Sequence, residues 1–347
     1  MNHCLDTGTY QLVDQIFRSV YDLEYGFAVA GMVLNIPHLI ISLQKPLRSI
    51  NAYSMIIAIA ISDLTATSVI SYHRTINRFI IENVCRNHYS YFYMFSMWII
   101  DILEESMILV SLFIGMLLTI IRFIIIKLNF NSDKLTKPYV AYFICFAIFL
   151  INVSASGNVY FRRTLVTINS WIPPKECTEF PVNYSEPAYL VLSDIENSDA
   201  YLNFYQSYVG YSMVSAISII YPCLALVLYL QIRTSAKNVA RLSQHTSLER
   251  YRTSRMILVF TLSYMVCSTP IGIIWLAKSL IHIEHMYLLS LLVAYGSVFS
   301  PVLFCMNASV QGIICFIFSP KYRETANTLL GFKKKTVSFK NLTVSRP

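Results

Sequence analysis

Seven long apolar segments dominate this sequence and restrict the folds open to it. They cover residues 25–43, 52–72, 92–126, 139–159, 205–231, 256–278 and 286–318. A helix needs about 20 residues to cross a hydrocarbon layer roughly 30 Å thick, and each segment is close to that length or longer. Because lipid offers the backbone no hydrogen-bonding partners, such segments fold as helices. The pattern predicts an all-α membrane protein, a bundle of seven transmembrane helices.

The composition agrees with a membrane environment. The chain is 55% hydrophobic and 13% charged, whereas about 25% of the residues in soluble domains are charged. No connecting segment is long enough to form a second domain. We predict an extracellular N-terminus over 1–24, a seven-helix domain over 25–318, and an amphipathic helix with a cytoplasmic tail over 319–347.

The basic residues predict the orientation. With the N-terminus outside, 19 of the 27 Lys and Arg residues fall on the cytoplasmic side, which is the positive-inside pattern of membrane proteins. The net charge of +8 is therefore assigned to anionic lipid at the inner membrane face rather than to nucleic acid. On that face, Ser319 and Pro320 suit the cap and first position of a short helix near 320–330.

The long connection over 161–203 carries two predicted covalent features. It contains Cys177, and Cys85 precedes the third helix. The cell exterior is oxidising, so a Cys85–Cys177 disulfide would hold this connection over the bundle mouth. The third outer cysteine, Cys4, has no predicted partner within the chain and is either free or bonded to another molecule. Asn183 begins an Asn-Tyr-Ser acceptor for N-glycosylation in the same connection.

A few polar residues lie inside the apolar segments, where they are costly and normally functional. Four of them can converge on one buried site: Asp63, Ser111, Asn307 and Gln311. A lone buried carboxylate either binds a cation or takes up a proton. The sequence thus predicts a cation or proton site around Asp63. The alternative is a structural hydrogen-bonded network with a protonated Asp63.

The same residues resemble the motifs of rhodopsin-like G-protein-coupled receptors. Asn35 and Asp63 have the usual spacing of that family, and Arg122, in Ile-Arg-Phe, resembles the arginine of its Asp-Arg-Tyr motif. The stretch 307–323 resembles its seventh-helix motif followed by a short helix. The family's prolines of the fifth and sixth helices are matched by Pro222 and Pro270.

The chain also departs from that pattern in a specific way. Ile121 replaces the acidic residue, Ser268 the sixth-helix tryptophan, and the seventh-helix motif is altered at Gln311, Gly312 and Cys315. Together with the stretches 31–41 and 319–323, these departures resemble the nematode serpentine chemoreceptors of the W class. That class is related to FMRFamide-type peptide receptors.

The resemblance implies specific partners and roles. It implies a heterotrimeric G protein on the inside, an extracellular peptide or small-molecule ligand, and surrounding membrane lipid. Arg122 would contact the G protein, while a sodium ion, the one implied cofactor, would bind at Asp63. The implied switch residues are Pro222, Tyr264 and Pro270. In the family an acidic neighbour restrains this arginine in the inactive state, and Ile121 supplies no carboxylate to Arg122. Glu249 is one candidate partner in its place. Alternatively, Arg122 simply extends to water.

A candidate ligand site lies in the outer half of the third helix. Asp101, Glu104 and Glu105 are spaced i, i+3 and i+4, so they share one helical face. Negative charge there would suit an amine or an arginine-bearing peptide. The candidate site is completed by Trp98, His73 and Trp275. The alternatives are an internal ion pair with His73, Arg74 or Lys278, and an interfacial belt for the aromatic residues.

Three function classes are consistent with a membrane bundle. A transporter would favour internal repeats or broken helices around a midplane site, and the sequence has neither. An enzyme would need a cluster of catalytic His, Asp or Ser inside the bundle, but Asp63 stands without a histidine partner. The sequence therefore favours a receptor that is not an enzyme.

Overall fold

The computed structural model describes residues 7–83, 85–127, 137–160, 163–193, 219–239, 245–280 and 287–332. These ranges are mostly helical. The helices are α1 (Thr7–Ser42), α2 (Lys45–Arg48), α3 (Asn51–Glu82), α4 (Tyr91–Lys127), α5 (Pro138–Tyr160), α6 (Tyr221–Val239), α7 (His245–Leu280), α8 (Tyr287–Phe318) and α9 (Pro320–Leu329). Two strands, β1 (Arg163–Trp171) and β2 (Glu186–Ser193), lie between α5 and α6.

Five helices contain segments long and apolar enough to cross a membrane. These segments are Gln15–Ser42, Asn51–Phe79, Tyr91–Ile125, Pro138–Gly157 and Phe299–Phe318, found by length and composition among the described residues. The fifth and sixth apolar segments correspond to α6 and α7, and residues 205–218 of the fifth lie outside the described ranges. The number of seven spans stays a prediction.

The first helix begins much earlier than the apolar pattern indicates. Its start at Thr7 does not coincide with the boundary predicted at residue 24. Residues 9–24 contain neither Gly nor Pro, so nothing interrupts the helix there. As a result, Glu24 lies within α1 and is only 1% exposed.

The helices cross the molecule in alternating directions, which gives the bundle two ends. Neighbours in the bundle include α1 and α3, α3 and α4, α7 and α8, and α1 and α8. We call one end the disulfide end, since Cys85 and Cys177 lie there. The opposite end, where α8 is followed by α9, is called the α9 end. The main hydrophobic core includes large buried side chains such as Met55, Phe260 and Tyr264.

The outer connection forms a β-hairpin, so the all-α prediction is wrong for this segment. Strands β1 and β2 pair antiparallel with an irregularity between Thr167 and Asn169. β1 contains β-branched residues such as Thr164, Val166 and Ile168, and β2 contains Tyr189 and Val191. These residue types suit a pleated surface. The hairpin is attached to the bundle because the Tyr189 N–H donates to the Tyr89 carbonyl at 2.8 Å. The Tyr91 ring also meets the Tyr189 ring edge-on.

The short helix α9 forms where the sequence predicts it. Ser319 caps it by accepting a hydrogen bond from the Tyr322 backbone N–H at 3.2 Å, and Pro320 is its first residue. Tyr322 is buried and its hydroxyl lies 2.9 Å from His38 Nδ1 on α1. Burial raises the pKa of the Tyr322 phenol above its ordinary value. The Ser319 hydroxyl also hydrogen-bonds Tyr53 of α3, so α9 is anchored to two helices.

Candidate functional site

A disulfide holds the β-hairpin over one end of the bundle. The Cα atoms of Cys85 and Cys177 are 5.6 Å apart, within the usual range of about 4.4–6.8 Å for a bonded pair. The predicted bond is confirmed. Cys177 lies between the two strands and Cys85 between α3 and α4. The covalent link therefore joins the hairpin to the segment before α4, the helix that carries Asp101, Glu104 and Glu105.

The predicted glycosylation site lies on the hairpin connection. Asn183 is exposed and has a φ of 70°, a left-handed conformation that Asn adopts more readily than most residues. The Tyr184 N–H closes the turn on the Pro181 carbonyl at 3.1 Å. An exposed turn of this kind leaves the Asn183 side chain accessible to a modifying enzyme.

Charged residues near the disulfide end connect three helices. Glu104 Oε2 of α4 lies 3.7 Å from His73 Nδ1 of α3. The next residue, Arg74, donates to Glu24 Oε2 of α1 at 2.6 Å, and its guanidinium lies 4.1 Å from the centre of the Tyr21 ring. We call Glu24, His73, Arg74 and Glu104 the ionic chain. Its members come from α1, α3 and α4.

The candidate ligand residues are only partly brought together. The Glu104 and His73 side chains are 19% and 23% exposed and face each other, which is one of the internal pairs weighed against ligand binding. Asp101 is half-buried whereas Glu105 is exposed, so the three carboxyl groups do not share one environment. Trp98 is half-buried and packs edge-on against Phe95. The Trp275 and Lys278 side chains lie outside the described residues.

Glu24 is a member of the ionic chain that the sequence analysis missed. The apolar count left it in the N-terminal segment, although a local signal was present. Buried residues recur along α1 at 20, 24, 28, 31, 35, 38 and 42, the spacing of one helical face. Extending that face backwards from Asn35 would have placed Glu24 inside the bundle.

Three of the four predicted polar residues, Asp63, Ser111 and Gln311, come together inside the bundle. The Ser111 hydroxyl donates to Asp63 Oδ1 at 2.5 Å and also lies 2.9 Å from the Tyr264 hydroxyl. Gln311 Nε2 donates to the same Tyr264 hydroxyl at 3.0 Å. All four side chains are at most 2% exposed. Helices α3, α4, α7 and α8 are thereby joined through one hydrogen-bonded group, the Asp63 cluster.

Tyr264 has a larger part in this cluster than its sequence position indicated. It was predicted as a switch residue of the sixth helix, and it connects Ser111 to Gln311. The Tyr221 ring stacks on it with centroids 5.8 Å apart, and the Tyr221 hydroxyl donates to the Leu112 carbonyl at 2.7 Å. A Cβ on Gly115 would lie 2.9 Å from the Tyr221 hydroxyl oxygen, so the two tyrosines need glycine there.

Two buried oxygen atoms of the cluster lack a hydrogen-bond partner among the described residues, Asp63 Oδ2 and Gln311 Oε1. Asn307 Oδ1, on the same helix as Gln311, also lacks one. Leaving a buried acceptor unsatisfied costs about 1–3 kcal/mol. Oxygen atoms of this kind are the ligands that hard cations prefer. The residues present therefore fit a small cation, and a proton on Asp63 would satisfy one of the same atoms.

Asn35 has a different role from Asp63, despite the spacing between them. Its Nδ2 donates to the Ala308 carbonyl of α8 at 3.1 Å and to the Gly31 carbonyl at 2.9 Å. The bond to Ala308 attaches α1 to α8, next to Asn307.

Arg122 is bound to the sixth-segment helix through a hydroxyl group. Its Nε donates to Ser254 Oγ of α7 at 2.9 Å, and Arg122 is 9% exposed. One turn earlier, the hydroxyl groups of Thr119 and Thr261 hydrogen-bond at 2.8 Å. Together with the Ser111–Tyr264 contact, these bonds hold α4 to α7. The side chain of Glu249, the substitute partner considered above, lies outside the described residues.

The two prolines predicted as switch residues lie in helices. Pro270 lies inside α7 and is exposed, which suits a bend in that helix. Pro222 is the second residue of α6. Because the described part of this segment begins at residue 219, its predicted kink stays a prediction.

A cavity of about 460 Å³ opens at the α9 end. Its walls come from α3, α4, α7, α8 and α9, and they include Arg122, Tyr53, Arg252, Phe318, Ser319 and Lys321. Arg122 therefore lies on a cavity wall at the opposite end of α4 from the ionic chain.

The comparison with known families agrees with this arrangement. Residues 22–333 match the family model described as serpentine type 7TM GPCR chemoreceptor Srw. No curated protein matches the chain. The match covers most of the chain, including the ionic chain, the Asp63 cluster and α9. The chain therefore belongs to the Srw family of serpentine seven-transmembrane chemoreceptors, multi-pass membrane proteins with the receptor role of that family.

Proposed function

We propose that this protein is a plasma-membrane receptor that converts binding of an extracellular peptide or small molecule into activation of a heterotrimeric G protein. The observation that carries the proposal is the placement of Arg122 on the wall of the α9-end cavity, bound to Ser254 of α7. If a ligand favours an arrangement with α7 moved outward, this contact is lost and the cavity widens. Binding would thereby shift a population toward the state that accepts the G protein.

A ligand screen tests this function directly. Cells expressing the receptor would be exposed to amines and neuropeptides while cyclic nucleotide and calcium are recorded. The expected result is a saturable response that untransfected cells lack. A ligand that binds the purified receptor without any second-messenger or nucleotide-exchange response would contradict the coupling part of the proposal.

The proposed orientation places the hairpin outside the cell, and glycosylation can test it. We expect the expressed protein to carry a glycan at Asn183, because acceptors are modified only on the exoplasmic side. Glycosidase treatment should shift the protein on a gel, and Asn183→Gln should remove that shift. Asn341→Gln, in an acceptor triplet of the C-terminal tail, is the matched control and should leave the shift intact. A shift lost in Asn341→Gln instead would reverse the orientation.

The ligand proposed for the disulfide end carries positive charge. Glu104 faces His73 at 3.7 Å, a separation longer than a hydrogen bond, and stays partly exposed. A carboxylate so placed can accept a hydrogen bond from a cationic group of the ligand.

Neutralising Glu104 should therefore weaken a cationic agonist. We expect Glu104→Gln to reduce agonist affinity by about 1–3 kcal/mol, the size of one lost charged hydrogen bond, with normal surface expression. Radioligand binding measures the change. Glu179→Gln, an exposed carboxylate of the hairpin connection, serves as the control and should bind normally. If both variants bind alike, Glu104 has a structural role within the ionic chain.

The Asp63 cluster is proposed to bind sodium or a proton as the receptor switches between states. The proposal is supported by the unpartnered oxygens of Asp63, Asn307 and Gln311, with the Ser111 hydroxyl beside them. Sodium there would be lost more easily from one receptor state than from the other, which couples the ion to agonist binding.

Replacing Asp63 should abolish any sodium effect. At constant ionic strength, agonist affinity of the wild type should differ between sodium and choline salts, whereas Asp63→Asn should show no difference. Ser62→Ala, which removes a buried hydroxyl one residue away, is the control and should keep the wild-type response. An equal sodium response in Asp63→Asn would reject the site. If agonist affinity of the wild type depends on neither sodium nor pH, the Asp63 cluster is a structural hydrogen-bonded network.

A further inference from the structure

A second cavity at the α9 end combines basic and apolar walls. Its volume is about 400 Å³. Residues from the start of α7, the end of α8 and the first turn of α9 line it: Arg252, Arg255, Ile317, Phe318, Pro320 and Arg323. It shares Arg252, Phe318 and Pro320 with the larger cavity. The two cavities therefore adjoin. Arg122 lies on the wall of the larger cavity.

The described part of the chain supplies no acidic partner to the basic side chains of this cavity. Within the described part of the chain, no carboxylate forms a salt bridge with Arg252, Arg255 or Arg323. All three residues are exposed. Three positive charges around one concave site produce a local positive potential that attracts anions. Guanidinium groups are also the side chains best suited to phosphate, because they form paired hydrogen bonds with its oxygens.

The cavity lies where the candidate membrane span of α8 ends. That span covers Phe299–Phe318, and the cavity takes residues from both sides of this limit. Ile317 is 55% exposed and Phe316 is 46% exposed, so apolar surface beside the cavity is not covered by protein. Charge directly next to uncovered apolar surface at a membrane boundary suits a molecule with an anionic head and acyl chains.

We propose that this cavity binds a phosphoinositide of the inner leaflet. The phosphate groups would lie among Arg252, Arg255 and Arg323, and the acyl chains would follow Ile317 and Phe316. A headgroup with several phosphate groups matches three arginines better than the single net charge of phosphatidylserine. The proposal rests on the orientation given under the proposed function, which brings the α9 end to the cytoplasmic side.

The position of the site gives the lipid a consequence for signalling. Arg252 and Arg255 belong to α7, whereas Arg323 belongs to α9. A phosphate group shared between them fastens α7 to α9. Arg252 and Arg255 lie within one turn of Ser254, which holds Arg122. A bound phosphoinositide therefore stabilises the arrangement in which α7 lies against α4, and it opposes outward movement of α7.

The test measures lipid retention by the whole receptor. Receptor in phosphatidylcholine bilayer discs containing a trace of phosphatidylinositol bisphosphate would be analysed by native mass spectrometry. The wild type should retain the phosphoinositide. The Arg252→Gln/Arg255→Gln/Arg323→Gln variant should retain about one tenth of that amount or less. Arg233→Gln removes an exposed basic residue of α6 and should retain it normally. Unchanged retention in the triple variant overturns the proposal.

Further measurements distinguish a lipid headgroup from a soluble phosphate compound, and loss of binding from loss of folding. Soluble inositol trisphosphate should compete weakly, because it lacks acyl chains; competition as strong as that of the lipid overturns the lipid assignment. Equal retention of phosphatidylserine would show non-specific surface attraction and also overturn it. Thermal unfolding of each variant in detergent, expected to match the wild type, shows that retention is not lost through misfolding. If the Asn183 glycan confirms the orientation while no phosphoinositide is retained, this inference alone fails.

Discussion

Arg122→Ala should abolish agonist-stimulated nucleotide exchange on the G protein while agonist binding is preserved. Arg122 lies eighteen residues after Glu104 on the same helix, which corresponds to about 27 Å at 1.5 Å per residue. The two sites therefore lie at opposite ends of α4, and losing a side chain at one end leaves the other intact. Nucleotide exchange in membranes with purified G protein, together with radioligand binding, measures both properties.

The Ser254 contact gives this prediction a second variant. The Arg122–Ser254 hydrogen bond involves a charged donor and is worth roughly 1.5–3 kcal/mol. Removing it with Ser254→Ala should weaken the attachment of α7 to α4, so agonist-independent activity should rise. Ser263→Ala is the control, because this half-buried hydroxyl of the same helix donates to the Phe260 carbonyl one turn earlier. A well-expressed Arg122→Ala receptor that activates G protein fully would overturn the assigned role.

Arg74→Met should strongly destabilise the folded receptor. Glu24 is 1% exposed, and Arg74 donates to it at 2.6 Å. Breaking a buried pair by removing one partner costs about 3–5 kcal/mol, and we expect the lower end of that range here because the Arg74 side chain is 24% exposed. Arg74 also contacts the Tyr21 ring, which adds about 0.5–1 kcal/mol. The expected result is a large fall in the unfolding midpoint in detergent and in the amount of protein at the cell surface.

Two further variants separate charge from packing. Glu24→Gln combined with Arg74→Met removes both charges, so it should recover much of the lost stability. Arg78→Met is the matched control, because the Arg78–Asp22 pair is 3.5 Å apart with side chains 61% and 66% exposed. Exposed pairs of this kind contribute little. Equal, small effects of Arg74→Met and Arg78→Met would show that the Glu24–Arg74 pair does not stabilise the fold.

Some features of this protein follow from its sequence alone. Long apolar segments must become helices in lipid, because no other conformation satisfies the backbone there. The α9 cap was readable because Ser319 and Pro320 act on their own next few residues. The Cys85–Cys177 pairing was also accessible, since few cysteines lie outside the apolar segments. Glu24 could also have been found from the sequence, because it lies three helical turns before Asn35 and therefore on the same face of α1.

The partners of the buried polar side chains were decided by the tertiary structure. Asp63, Ser111 and Gln311 were predicted to converge because buried polar groups need partners, yet nothing local indicated that Tyr264 joins them. Ser254 is 132 residues from Arg122, and no spacing rule links two residues that meet only when α7 packs against α4. The hairpin also depends on tertiary structure, because it forms only when β1 pairs with β2. Sequence therefore determined the helices and the polar groups they must bury, whereas helix packing selected the atoms that satisfy each group.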